Sequence, residues 1–323
     1  MRFLVIRLSS FGDIILTTPV LEEIKKKYPD AKIDFVVMDK FKDAIIGNKN
    51  IDRIIVLERD VHKGITGIKK FCSTMEKEYD YIVDIHSKLR SRIISFFIKG
   101  KVLRYKKRAI WKSILVNLGI IKYSVDDTIV KSYFKPLKKL GIEYSGENLE
   151  FNFSEEDLNF VKEYSGAVIF APGASKETKK WPATYFAELG KKLKDERIVV
   201  IGGKSEFEEL EYIKKEIGNN CENFAGKLSL KQSGALLAKS KYIVTNDSGP
   251  FHIARGVNCP AFVIFGPTDP NMFKYEKKER LIYAGEKCSP CSLHGDKICP
   301  KGHFNCMKKI TPEMIYQKIK EEF

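Results

Sequence analysis

Short apolar runs that end in glycine-containing turns recur along this chain, and their alternation with helical patterns constrains the fold more than any other feature. In the first half, FLVIRL, KIDFVV, RIIVLE and YDYIVDI predict strands, and GDIILTTPVLEEIKKKYP predicts a helix. AVIFAPGAS, RIVVIGG, KYIVTNDSG and PAFVIFG repeat the strand pattern in the second half, with WPATYFAELGKKLKD as a helix. This order predicts an α/β protein with two Rossmann-like, doubly wound parallel sheets.

The boundary between the two predicted domains lies where this rhythm stops. Residues 141–153 are rich in Gly, Asn and Glu, so we assign residues 1–150 to the first domain and 151–323 to the second. Thr311 as N-cap and Pro312 at the first helical position predict a closing helix over 311–323. The pattern leaves open whether this helix packs back on the first domain.

The net charge of +15 is concentrated in one basic block. Between Lys88 and Val125 there are eleven Lys or Arg residues and no Asp or Glu. Such a block is either a solvated face or a surface for a polyanion. Because the chain has no helix-turn-helix, RRM or Cys/His finger signature, we expect no nucleic-acid partner. The cations alternate with Phe96, Phe97, Tyr105 and Trp111, which favours peripheral contact with an anionic membrane.

Two features bear on the cellular compartment. No apolar run approaches the ~20 residues that a membrane-spanning helix needs. Seven cysteines without an export signal are typical of a reducing compartment. We therefore expect a cytoplasmic protein that contacts the cytoplasmic face of the inner membrane peripherally.

The first predicted strand runs into a turn with hydroxyl and carboxylate groups. Ser10, Gly12 and Asp13 follow FLVIRL directly. Gly12 permits close approach of a ligand to the backbone. Asp13 either takes a proton from an attacking hydroxyl or interacts with the helix N-terminus. The segment alone leaves these two interpretations of Asp13 equal.

Three turns in the second half suit a nucleotide sugar. APGASKETKKWP places Ser175 and Lys179 where amide groups, a hydroxyl and an ammonium would hold a diphosphate. Glu206 follows RIVVIGG, and its carboxylate suits ribose hydroxyls. The turn NDSGPFH adds four candidates at a helix start, namely Asp247, Ser248, Gly249 and His252. Taken singly, each residue also has an ordinary structural explanation.

Several competing chemistries have no motif in this sequence. G-x-G-x-x-G, the Walker A run, G-x-S-x-G and H-E-x-x-H are all absent. No Asp-x-Asp pair is present to hold a metal-bound diphosphate. These absences favour a metal-independent site that uses lysine and helix termini.

Four cysteines near the end of the chain admit two interpretations. They form the pattern C-x2-C-x7-C-x6-C, and they are Cys288, Cys291, Cys299 and Cys306. One C-x2-C pair with irregularly spaced partners is compatible with bound zinc or with a metal-free packed loop. We expect the metal-free loop.

Taken together, LSSFGD, PGASKETKKWP, IGGKSE, NDSGPFHIA, FGPTDP and CSPC…CM resemble glycosyltransferase family 9, the bacterial lipopolysaccharide heptosyltransferases. The resemblance extends over nearly the whole chain and implies a GT-B type fold with two facing Rossmann-like domains. It also implies inverting transfer of heptose from ADP-L-glycero-β-D-manno-heptose to an anionic lipopolysaccharide inner-core acceptor. No cofactor or metal is implied as essential.

The resemblance also implies roles for individual residues. Asp13 corresponds to the base, Lys179 to the contact with the donor phosphate, and Glu206 to the ribose acid. Ser175 corresponds to a hydroxyl on the phosphate loop, although the family often has paired threonines where this chain has Ala174-Ser175. The turn of Asp247, Ser248, Gly249 and His252 is implied to bind the donor. Candidates for the acceptor or its phosphates are Ser10, Gly12, Lys88, Arg90, Arg92 and Arg104.

Two alternatives remain open from the sequence. The first is a transferase of the same fold that uses another nucleotide sugar, because the fold and the phosphate loops do not identify the sugar. The second is a non-catalytic protein that binds polyanions or a membrane surface through the basic block.

Overall fold

The computed structural model describes residues 1–106, 126–275 and 278–323. Within them the chain forms two compact units, one of residues 1–106 and Asp127–Asn152 and the other of Phe153–Phe323. Asp126 groups with the second unit, so the units are not divided at a single point, and the boundary at residue 150 stays a prediction. Among the described residues, no helix has the length and apolar character needed to cross a membrane.

The first unit contains a five-stranded parallel sheet in the order β3-β2-β1-β4-β5. Its strands are β1 Arg2–Ile6, β2 Lys32–Met38, β3 Arg53–Leu57, β4 Glu78–Asp84 and β5 Lys99–Arg104. Its α-helices are α1 Phe11–Ile15, α2 Thr18–Lys27, α3 Gly64–Ser73, α4 Leu89–Phe97 and α5 Ile129–Phe134.

The second unit contains a six-stranded parallel sheet in the order β11-β10-β9-β6-β7-β8. Its strands are β6 Val168–Ala171, β7 Ile198–Val200, β8 Cys221–Asn223, β9 Tyr242–Asn246, β10 Ala261–Phe265 and β11 Glu279–Tyr283. Its α-helices are α6 Glu155–Phe160, α7 Ala183–Lys192, α8 Phe207–Ile217, α9 Leu230–Lys239, α10 Gly249–Gly256, α11 Asn305–Lys308 and α12 Pro312–Glu322. The prediction of two doubly wound parallel sheets is confirmed.

The segment predicted as one helix after β1 forms two helices instead. α1 ends at Ile15 and α2 begins at Thr18. Pro19 lies in the first turn of α2, where backbone N–H groups have no intrahelical hydrogen-bond partner, so the absence of an N–H in proline costs nothing. Inside a continuous helix its ring would clash with the carbonyl of the preceding turn. The hydroxyls of Thr17 and Thr18 donate to the carbonyls of Ile14 and Ile15 at 2.6 and 2.8 Å, which satisfies groups left unpaired by the break.

The closing helix, α12, belongs to the second unit. Ile315 and Ile319 lie in the same hydrophobic core as Phe186 of α7. Just before the helix, the carbonyl of Ile310 accepts a hydrogen bond from the indole nitrogen of buried Trp181 at 2.7 Å. The apolar stripe of α12 therefore helps to complete the core of the second unit.

Parallel pairing fixes where ligand-binding groups are found in each unit. In the first sheet, Ile6 of β1 is paired with Asp84 of β4. In the second sheet, Ala171 of β6 is paired with Thr245 of β9. Because parallel strands end at the same edge, the turns that follow β1 and β4, or β6 and β9, are neighbours. Asp13, Lys179 and Asp247 lie in the segments that follow β1, β6 and β9, whereas Glu206 follows β7 and Arg104 ends β5.

Candidate functional site

Asp13 lies in the first turn of α1, shortly after β1, and accepts hydrogen bonds from three different side chains. One carboxylate oxygen lies 2.8 Å from Arg7 Nη2 and accepts a 3.3 Å hydrogen bond from the hydroxyl of Tyr133. The other accepts from the hydroxyl and the backbone N–H of Ser10 at 2.6 and 3.2 Å. The contact with the Ser10 N–H is the helix-start interaction that the sequence suggested as one interpretation. The proton-accepting role of Asp13 stays a prediction.

The charge state of Asp13 follows from these contacts. Burial alone would raise the pKa of this carboxyl, but the Arg7 charge and the two hydrogen bonds from Ser10 outweigh that effect. The pKa of Asp13 is therefore held well below its usual range, and the group is ionised at neutral pH. Its side chain is 31% exposed, so a substrate hydroxyl is able to reach it.

Arg7 and Tyr133 support Asp13, and neither was among the residues predicted from the sequence. Arg7 is buried, donates to the carbonyl of Ile85 at 3.0 Å, and places its guanidinium 5.3 Å from the centre of the Tyr133 ring. Burial raises the pKa of Tyr133 well above its ordinary value, so its hydroxyl remains a donor. The sequence pattern could have indicated Arg7, because a cation directly follows an apolar strand there. No sequence pattern indicates Tyr133, which is distant from Asp13 in the chain.

His86 is a further titratable group at this edge of the first sheet. It follows β4 directly, and its backbone N–H donates to the carbonyl of Ile6 at 3.0 Å. The imidazole is buried. Burial, together with the nearby charges of Arg7 and Lys88, lowers the pKa of His86 to about 4. At neutral pH the cluster therefore contains a neutral imidazole, a group that is often found at functional sites.

The predicted acceptor-binding cations have different environments. Lys88 and Arg92 are exposed near the start of α4, and Arg90 is half-buried with Nη1 3.7 Å from Met38 Sδ. Arg104 Nε lies 2.7 Å from the carboxylate of fully buried Asp84. A buried carboxylate needs a charged partner, so the guanidinium of Arg104 is occupied in neutralising Asp84. It is therefore not a freely solvated cation of the basic block.

Part of the basic block lies outside the described residues. Five residues that contributed to its charge or aromatic pattern lie outside the described residues, and they are Lys107, Arg108, Trp111, Lys112 and Lys122. The prediction for the block therefore depends on α4 and β5.

In the second unit, Lys179 and Asp247 form an ion pair. Lys179 Nζ lies 2.5 Å from Asp247 Oδ2, and the two side chains are only 11% and 7% exposed. The turns that carry them are joined by Asn246, whose amide donates to the carbonyl of Pro172 at 2.5 Å and accepts from the N–H of Trp181 at 3.0 Å. The structure thus brings together two site residues that the sequence placed in separate motifs.

Ser175 and Glu206 lie on neighbouring turns of the second unit. Ser175 is exposed on the loop after β6. Glu206 accepts from the N–H of Gly203 at 2.6 Å. A Cβ atom added at Gly173 would lie 2.0 Å from Glu206 Oε1, so glycine is required there for the carboxylate to approach the phosphate loop. Glu206 therefore contacts both turns, while its contact with ribose stays a prediction.

The turn NDSGPFH begins α10, as predicted. Ser248 is the N-cap residue, and in the described part of the chain its side chain makes no capping hydrogen bond but lies 3.4 Å from the Thr245 hydroxyl. Gly249 is the first residue of the helix. His252 is buried and its ring lies 5.1 Å from that of Phe273. The N–H groups at the start of α10 are suited to a ligand anion.

The cysteine segment, defined here as residues 288–306, packs beside these loops. Cys288 Sγ lies 3.7 Å from His303 Nε2. Burial is the main cause that raises the pKa of Cys306 to about 12. Cys291 and Cys299 are half-buried free thiols. Within the residues that the structure describes, no group of three or more His, Cys, Asp or Glu side chains is arranged to hold a metal ion.

We expect acid to destabilise the protein through His86. Because the folded pKa of about 4 lies below the ordinary 6.5, the unfolded chain takes up a proton first as the pH falls. The free energy of unfolding is therefore unaffected by the titration of His86 above pH ~6.5. Between pH ~6.5 and pH ~4 it falls by up to about 3 kcal/mol. His86→Gln should flatten this pH dependence in urea unfolding followed by circular dichroism between pH 5 and 7. An unchanged slope in the variant would contradict the assignment.

Comparison with known proteins agrees with the motifs. A family model described as glycosyltransferase family 9 (heptosyltransferase) matches residues 69–301. Lipopolysaccharide heptosyltransferase 1 of Campylobacter coli is 28% identical, and the alignment covers 100% of this chain and 99% of that protein.

Solved structures share the fold. The family 9 glycosyl transferase of Veillonella parvula has a TM-score of 0.85 at 22% identity, covering 99% of this chain and 96% of that one. The E. coli heptosyltransferase WaaC, solved with ADP, has a TM-score of 0.77 at 22% identity and covers 99% of both chains.

These likenesses decide between the classes of function that the sequence left open. The predicted GT-B type fold is confirmed. A non-catalytic polyanion-binding protein is no longer needed to explain the chain, since the matched family consists of enzymes. The chain belongs to glycosyltransferase family 9, the heptosyltransferase family.

Proposed function

We propose that this enzyme transfers heptose from ADP-L-glycero-β-D-manno-heptose to an anionic lipopolysaccharide inner-core acceptor, with inversion and without a bound metal or other cofactor. The observation that carries the proposal is the nearly buried Lys179–Asp247 pair beside the start of α10. Two names of similar proteins support the substrates: the Campylobacter coli relative is a lipopolysaccharide heptosyltransferase, and the E. coli WaaC structure contains ADP.

The leaving nucleotide needs compensation for the charge that develops on its phosphate. In the second unit, Lys179 supplies a cation and the first turn of α10 supplies N–H dipoles. These groups stabilise the negative charge on the leaving phosphate, for which other transferases use a metal ion. Ser175 adds an exposed hydroxyl on the same loop, Asp247 suits sugar hydroxyls, and Glu206 suits the ribose.

Proton removal is assigned to Asp13. As the acceptor oxygen forms its bond to the anomeric carbon, the bond from that carbon to the ADP oxygen breaks on the opposite face, and the acceptor proton passes to the carboxylate. The hydrogen bond from Tyr133, at 3.3 Å, is the longest of the contacts to Asp13. It is therefore the contact that gives way most readily to a substrate hydroxyl.

Replacing the base should slow chemistry without loosening the donor. Asp13→Asn is expected to lower turnover by about 10²–10⁴-fold, as for loss of a general base, with ADP affinity kept. ADP release with a defined acceptor is the measurement. Asp157 is a matched control, because its carboxylate also accepts from the N-cap N–H and hydroxyl of a helix, at 2.9 and 2.7 Å from Ser154. Asp157→Asn should leave turnover intact, and full activity in Asp13→Asn would refute the assignment.

Nucleotide preference separates the proposal from a same-fold transferase with another donor. Calorimetry should show ADP binding with higher affinity than UDP or GDP. Lys179→Ala should weaken ADP binding by about tenfold or more, because a charge-assisted contact to phosphate is lost. Lys180→Ala is the control, since Lys180 pairs with Glu177 and Glu209 instead. Tighter binding of UDP or GDP than of ADP would favour the other donor, and turnover lost on chelation would oppose a metal-free reaction.

We further propose that α4 makes peripheral contact with the cytoplasmic face of the inner membrane, where a glycolipid acceptor would be found. Leu89 and Phe96 are 74% and 82% exposed, and with Arg92 they follow the i, i+3, i+7 spacing of one helix face. Exposed Lys99 and Lys101 follow on the edge strand β5. Exposed apolar side chains among cations suit anionic lipid better than nucleic acid.

The membrane proposal is tested with vesicles. Leu89→Ser combined with Phe96→Ser should reduce binding to phosphatidylcholine vesicles that contain anionic lipid by about tenfold, because burial of two large apolar side chains is lost. Cosedimentation at low and high salt is the measurement. Phe160→Ser removes a similarly exposed aromatic from the second unit and should bind as the wild type does. Unchanged binding of the double variant would exclude α4 as the contact.

A further inference from the structure

The carboxylate that pairs with Lys179 is itself held by a second donor. Thr268, which is buried in the FGPTDP turn after β10, donates its hydroxyl to Asp247 Oδ2 at 3.1 Å. This is the same oxygen that lies 2.5 Å from Lys179 Nζ. The backbone N–H of Asp247 donates to the carbonyl of Ile264 in β10 at 3.2 Å. The position of the ammonium is thus linked to the turn after β10 through a single carboxylate oxygen.

The cysteine segment contacts the aliphatic part of Lys179 from another direction. A Cβ atom added at Gly295 would lie 2.7 Å from Lys179 Cγ, 3.0 Å from Lys179 Cδ and 3.0 Å from Lys176 Cβ. Next to it, the backbone of Asp296 makes three hydrogen bonds with Thr178: its carbonyl accepts from the Thr178 N–H at 3.1 Å and from the Thr178 hydroxyl at 3.0 Å, and its N–H donates to that hydroxyl at 2.7 Å. Gly295 therefore passes directly over the lysine stem, so close that an added side chain would displace the stem.

We propose that Thr268 and Gly295 are positioning residues that hold the Lys179 ammonium where the donor phosphates bind. Thr268 fixes the polar end through Asp247, and the backbone at Gly295 restricts the methylene stem. The inference rests on the proposed function, because it assigns these two residues to the same phosphate contact.

Such support has a physical purpose. A lysine side chain has many rotamers, and ordering it when a ligand binds costs conformational entropy. A lysine that is already confined before binding avoids that cost and places its charge correctly for the leaving group. The cysteine segment therefore has a function in the donor site that does not depend on metal binding.

A double-mutant cycle tests the contact with Gly295. Gly295→Ala should raise the dissociation constant of ADP by about tenfold and should raise the donor KM, while the acceptor KM stays unchanged. In a Lys179→Ala background, Gly295→Ala should change ADP affinity by less than about twofold, because the lysine stem is absent and only the contact with Lys176 Cβ remains. A residue with a general structural role would affect ADP binding in both backgrounds.

Gly302 provides a matched control in the same segment. It has φ +71, close to the +76 of Gly295, but an added Cβ atom meets nothing within 4 Å. Gly302→Ala therefore introduces the same backbone strain without displacing Lys179. We expect its ADP affinity to stay within about twofold of the wild type. Melting temperatures of the two variants show whether they are equally folded.

Thr268 provides an independent test if Gly295→Ala does not fold. Thr268→Val keeps the shape of the side chain and removes the hydroxyl, so ADP affinity should fall by about three- to tenfold. Thr268→Ser keeps the hydroxyl and should restore most of the affinity. Equal loss in the Val and Ser variants would overturn the role of the hydroxyl.

The outcomes separate this inference from the proposed function. If Lys179→Ala leaves ADP binding unchanged, the phosphate contact is wrong and the positioning proposal falls with it. If Lys179→Ala weakens ADP binding while Gly295→Ala and Thr268→Val do not, the phosphate contact stands and the positioning proposal is overturned.

Discussion

The parallel pairing of β6 with β9 is the constraint on which the donor site depends. Because both strands run in the same direction and Ala171 is paired with Thr245, the phosphate loop and the start of α10 leave the sheet side by side. Asn246 then joins the two turns through hydrogen bonds to Pro172 and Trp181. Lys179 and Asp247 meet only because this backbone arrangement is fixed first. The same rule places Arg7 next to Ile85 in the first unit, and with it the partner of Asp13.

In each unit, the charged group that we propose to act on the substrate is held by an opposite charge. In the first unit Arg7 compensates the carboxylate of Asp13, the proposed base; in the second, Asp247 compensates the ammonium of Lys179, the proposed phosphate contact. A partly buried charge without such a partner would be costly. The pairing also has a chemical consequence, because a lowered pKa keeps Asp13 ionised while reducing its strength as a base.

The strands that the sequence predicted and those that it missed differ in their position in the sheets. Central strands such as β1, β6 and β10 are buried on both faces, so they are continuous apolar runs. The strands β5, β8 and β11 were not predicted, and all three lie at sheet edges. Edge strands need fewer apolar side chains; KGKVLR of β5 is largely exposed, and β8 has only three residues. The split of the first helix was also missed, although Pro19 signalled it.

The site residues show the same limit of local information. Asp13, Lys179 and Asp247 were proposed because each lies in the segment that follows an apolar strand. Their supports, Tyr133, Thr268 and Gly295, lie far away in sequence and become neighbours only through the fold. The cysteine pattern admitted a bound metal or a metal-free packed loop, but spacing alone did not show that the segment packs against the loop that carries Lys179. The turn that carries Thr268 also packs against the end of the segment, because a Cβ atom added at Gly266 would lie 3.4 Å from Cys306 Sγ and 2.3 Å from Sδ of the following Met307. Close packing on Lys179 thus accounts for the glycine at 295, whereas the glycine at 302 has open space around it and is explained by its positive φ.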